Sequence, residues 1–75
     1  MPAIAQQQIV RLNVNMNEQT ATDLKELAER DGLSFTETIR RAVAIYKYIR
    51  DEVRKGRVVM TQDPDGRNRR EIVLM

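Results

Sequence analysis

Arg11, Asn13 and Asn15 take every second position of the run Arg11-Leu12-Asn13-Val14-Asn15-Met16, and Leu12, Val14 and Met16 fill the gaps. Period-two alternation is the pattern of a strand with one wet face and one dry face. Arginine bonds guanine bidentately at O6 and N7, and asparagine bonds adenine at N6 and N7. Three such side chains in a row on one strand face suit the reading of base edges. The competing reading is a solvated face and nothing more. Asparagine is disfavoured in strands, however, so two at alternating positions need a reason beyond strand formation.

A second constellation lies at Ser34-Phe35-Thr36-Glu37. It is a capping box: the serine accepts from the Glu37 amide while the glutamate reaches back to the serine amide. Free amides at a helix start, together with the helix dipole, favour an anion. Ser34, Phe35 and Thr36 are candidate contacts to a DNA phosphate through their amides and the Thr36 hydroxyl. The plain N-cap role of Ser34 holds either way. Arg40 and Arg41 are within reach of a DNA backbone but read first as solvated surface.

Catalytic and metal chemistry find little material. The chain has no cysteine and no histidine, which removes the usual zinc ligands. Ser34 is the only serine, no histidine can activate it, and neither a Gly-rich phosphate loop nor a nucleophile elbow is present. Asp63 and Asp65 have the start of a calcium-loop spacing, but the remaining ligands are missing and a turn is the better reading. The expectation is a protein that is not an enzyme and carries no cofactor or metal.

The elements that must position these residues follow from local signals. Residues 1–7 read as a flexible arm and Gln8 to Met16 as a strand. Asn17 is a good N-cap, with Glu18 and Asp23 placing acid near a helix start. The first helix is predicted to run to about Asp31, with Ala21, Leu24, Leu27 and Ala28 at helical spacing and Gly32 as its stop. After the link Gly32-Leu33, the second helix is predicted from Ser34 to about Lys55, ended by Gly56. Phe35, Ile39, Ala42, Val43, Tyr46, Ile49 and Val53 form its apolar stripe. Leu24, Leu27, Phe35, Ile39, Val43, Tyr46 and Ile49 are expected core. Residues 57–62 read as a strand, Asp63-Pro64-Asp65-Gly66 as a type I turn, and Arg67 to Met75 as a return strand. The expected dry face of this C-terminal hairpin is Val58, Met60, Ile72 and Leu74.

With 75 residues and no disulfide, oligomerisation is the expected source of extra stability. A lone strand supports this, because its unpaired edges invite pairing with the same strand of a second copy. Charge is polarised: residues 18–33 carry −3 and residues 34–57 carry +4, within a net +2. Such asymmetry fits nucleic acid on one side, though charge on helices is also the mark of a solvated face. No apolar run approaches the roughly 18 residues of a membrane span, and the start lacks the pattern of a secretory signal. The chain reads as cytoplasmic and nucleoid-associated.

Strand, helix, Gly32-Leu33-Ser34, helix: this order resembles the ribbon-helix-helix family of bacterial and phage DNA-binding proteins, over roughly Gln8 to Arg50. The resemblance implies an α+β fold, an intertwined homodimer joined by an intersubunit two-stranded antiparallel ribbon. It implies base contacts by Arg11, Asn13 and Asn15 and phosphate contacts by Ser34, Phe35 and Thr36. Residues 8–56 would form the DNA-binding and dimerisation domain, with dimers able to pair on double-stranded DNA, and residues 57–75 a hairpin extension outside it. The implied function is sequence-specific DNA binding as a transcriptional repressor. The alternatives are an antitoxin, with a tail that binds a protein toxin, or a plasmid partition or conjugation accessory protein.

Overall fold

The computed structural model describes residues 8–74. The flexible arm expected over residues 1–7 lies outside them. Two helices, α1 (Glu18–Asp31) and α2 (Phe35–Arg54), precede two short strands, β1 (Val59–Thr61) and β2 (Arg70–Ile72), which pair antiparallel. The chain is a small α+β protein.

Local chemistry sets the helix limits. The Asn17 side chain accepts from the Thr20 amide at 2.8 Å, and the Ser34 hydroxyl accepts from the Glu37 amide at 3.0 Å. Each satisfies an orphan donor of a first turn. Both helices end alike. Gly32 is left-handed (φ 66°), and the Leu33 amide bonds back to the Ala28 carbonyl at 2.9 Å. Gly56 is left-handed (φ 83°), and the Arg57 amide bonds back to the Glu52 carbonyl at 3.2 Å. This is the six-to-one bond that closes a helix on a residue free of a Cβ penalty.

The return half of the capping box is absent. The Glu37 carboxylate binds Arg40 and Arg41 rather than the Ser34 amide. Charged donors three and four residues ahead on the same helix give stronger bonds than a neutral amide.

The expected strand over Gln8 to Met16 forms no ladder in the single chain, where residues 8–17 are irregular and exposed. A strand exists only through its hydrogen-bonded neighbour, and no other described segment pairs with it. The expected core is also uncovered. Ala28 (3% exposed) and Thr38 are the only buried positions among the described residues, while Phe35, Ile39, Tyr46 and Val43 (62% exposed) lie open on α2 and Leu27 on α1. Leu24 and Ile49 are half-buried.

The C-terminal sheet is shorter than the pattern predicts. Its register pairs Val59 with Ile72, Met60 with Glu71 and Thr61 with Arg70. The type I turn is present, with the Gly66 amide on the Asp63 carbonyl at 2.8 Å. Beyond it, the Asp63 amide bonds the Arg67 carbonyl, Asp65 accepts from the Arg67 amide, and the Asn68 side chain donates to Asp63. These bonds fold residues 62–69 into a polar loop and keep Arg67 to Arg69 out of the ladder. The inward face is Val59, Ile72 and Leu74, all half-buried; Val58 and Met60 point outward. A one-residue change of phase sends every side chain of a strand to the other face.

β1 packs on the end of α2, where Ile49 to Glu52 are half-buried. Glu52 ties the joint: its carboxylate takes Arg57 at 2.9 Å and Lys55 at 3.4 Å. The Arg57 hydrogen bond holds the Glu52 carboxyl below its usual range, as the Lys47 hydrogen bond does for Asp51. A lowered carboxyl favours the folded chain above the ordinary carboxylate pKa. That contribution is lost as pH falls through the lowered value. Hydrogen exchange is expected to show protected amides within 59–61 and 70–72, and truncation after Gly56 is expected to lower the melting temperature by uncovering Ile49. Rapid exchange throughout 57–74 would contradict the docked sheet.

Candidate nucleic-acid interface

The segment 8–17 leads into α1 and lies beside the start of α2. The Asn17 cap starts α1, so the residues before it leave the helix in extended backbone (φ −74°, ψ 169° at Asn17). From there the chain runs beside the first turns of α2. The stretch from Ile9 to Val14 lines one open groove with Thr36 and Ile39. Arg11, Asn13 and Thr36 are thereby brought together: two of the expected base contacts and one of the expected phosphate contacts. Asn15, Ser34 and Phe35 do not line this groove, although all three are exposed.

The alternation is chemical as well as positional. Leu12 (79% exposed) and Val14 (66% exposed) leave the dry half of the pattern in water, as the wet half is. Burying such side chains gains roughly 1.5–3 kcal/mol each, so their exposure marks an uncompleted surface. The exposed stripe Phe35, Ile39, Val43 and Tyr46 runs along α2 next to it. Ile39 lines the same groove as the alternating segment.

Thr38, which the sequence pattern did not single out, back-bonds at the start of α2. It is buried, and its hydroxyl donates to the Ser34 carbonyl at 2.9 Å while its amide bonds the same oxygen at 3.0 Å. Threonine four residues after a cap can back-bond in this way, and that spacing is the signal that would have found it. The carbonyl of Ser34 is thus doubly occupied, and the amides of Phe35 and Thr36 face outward from a fixed turn. Glu37 adds an anion beside this turn, but Arg40 and Arg41 both bind it. The three side chains together carry +1, which keeps the start of α2 attractive to an anion.

Comparison with protein-family models, with curated proteins and with solved structures finds no match to this chain. Among the described residues no helix is long and apolar enough to cross a membrane.

Proposed function

We propose that the chain is a sequence-specific double-stranded DNA-binding protein, a transcriptional repressor that works as a homodimer. The observation that carries this reading is the alternating segment from Arg11 to Met16, exposed and, among the described residues, without a partner strand, beside an exposed apolar stripe on α2. Antiparallel pairing of this segment with its copy about a twofold axis satisfies both backbones. Leu12, Val14 and Met16 then close over Phe35, Ile39, Val43 and Tyr46 of the two chains. Arg11, Asn13 and Asn15 of both chains gather on the opposite face, as a two-stranded ribbon of the width the major groove admits. The amides and hydroxyl around Ser34, Phe35 and Thr36 hold phosphate and set the register of the ribbon.

The antitoxin reading draws less support. A tail that waits for a toxin is usually disordered when free. Residues 59–61 and 70–72 are already paired in the free chain and packed on α2. A helix of 20 residues spans about 30 Å, so this sheet also lies far from the turn at Ser34. Such a tail has a structural use without entering the base-reading surface.

Selection from a randomised duplex library tests the function directly. The protein is expected to enrich a motif with twofold symmetry, because a symmetric dimer presents the same side chains to two half-sites. Recovery of duplexes with no shared motif would overturn the reading.

A further inference from the structure

Two guanidiniums share the carboxylate of Glu37. Arg40 donates through Nη1 to Oε1, and Arg41 donates through Nε to Oε2 at 3.1 Å. One carboxylate neutralises one of them, and a charge of +1 is left for an outside anion. The two arginines then diverge, since consecutive helix residues point about 100° apart. Arg40 lines the groove that contains Gln8, Ile9, Val10, Leu12 and Thr36, together with Ile39 and Val43. Arg41 lines the groove between α1 and α2, beside Leu27 and Asp31. Helical side chains lean toward the N-terminus, which brings the Arg40 guanidinium back to the level of Glu37, close to Thr36 one turn earlier. Arg40 is also open to solvent, with a side chain 70% exposed.

We propose that Arg40 is a phosphate clamp of the DNA interface, and that Glu37 occupies its guanidinium until a phosphate replaces the carboxylate. The proposal rests on the DNA-binding reading. A guanidinium fork matches a carboxylate and a phosphate equally well. The exchange swaps one anionic partner for another and leaves Glu37 with Arg41. One bound phosphate brings the group from +1 to neutral.

The test is the salt dependence of binding by the full chain to a labelled duplex, followed by fluorescence anisotropy. Each phosphate neutralised on B-DNA contributes about 0.9 to the slope of log K against log salt. Arg40→Gln is expected to lower the slope by about 1.8 for a dimer, with the preferred sequence unchanged. Arg41→Gln faces the other groove but removes the cation that keeps Glu37 once the phosphate binds, and is expected to weaken binding with a smaller change of slope than Arg40→Gln. Arg40→Lys keeps the charge and is expected to keep the slope, which separates charge from any change in folding. Thr36→Ala removes a neutral contact and is expected to weaken binding to all sequences with the slope nearly unchanged. Glu37→Gln removes the competing anion and is expected to tighten binding to every sequence alike. A full slope in Arg40→Gln, or weaker binding in Glu37→Gln, would overturn the clamp while wild-type binding stands. If the wild-type chain shows no salt-dependent affinity for duplex DNA, the clamp falls together with the DNA-binding reading.

Discussion

Val14→Asp is expected to abolish the folded dimer, although Val14 is 66% exposed in the single chain. In an isolated protomer an aspartate there would sit in water at almost no cost. In the proposed ribbon Val14 lies on the inner face, and two symmetry-related carboxylates would be buried close together without partners. Burying a charge unpaired costs several kcal/mol, against a total stability of about 5–15 kcal/mol for a typical domain. Analytical ultracentrifugation with circular dichroism is the measurement. The variant should sediment as monomer or aggregate with reduced helicity and no cooperative melt. Asn13→Asp, one position away on the outer face, should keep the dimer and lose DNA. A Val14→Asp protein with wild-type sedimentation and melting would refute the ribbon.

Arg11→Ala carries the second large effect. A lost bidentate base contact costs about 1–3 kcal/mol of discrimination, and a symmetric dimer loses it twice. The summed loss of about 2–6 kcal/mol corresponds to roughly 30-fold to 10⁴-fold in specific affinity. Asn13→Ala and Asn15→Ala should behave in the same way, with preference lost at A·T pairs where adenine is the base read. Stability should not move, because Arg11, Asn13 and Asn15 are all exposed. Equilibrium titration against the selected motif and against a scrambled duplex measures this. Specific affinity unchanged in all three variants would remove the strand face from recognition.

These two expectations differ in what they ask of the fold. Val14→Asp probes the dry half of the alternation and Arg11→Ala the wet half. A solvated, non-functional segment would tolerate both. A ribbon tolerates the second in its stability and the first in nothing.

The elements of this protein could be read from the chain because their causes lie within a few residues. Asn17 and Ser34 start helices by bonding amides three residues ahead, and Gly32 and Gly56 end them by adopting a conformation other residues avoid. Asp63-Pro64-Asp65-Gly66 turns through a bond over the same short span. The alternation of Arg11 to Met16 and the stripe on α2 were visible for a similar reason, as periods of two and 3.6.

Tertiary structure alone decided matters that depend on residues distant in the chain. It turned Val59, Ile72 and Leu74 inward and left Val58 and Met60 outside, because the inward face depends on how β1 meets α2 and not on composition. It set Arg40 and Arg41, neighbours on one helix that both bind Glu37, beside different grooves, because α1 covers one side of α2 and the segment before Asn17 lies along another. It also showed that the stripe Phe35, Ile39, Val43 and Tyr46 stays open in one chain. Periodicity marks a face as apolar, but only the arrangement of the whole chain determines whether that chain has anything left to cover it.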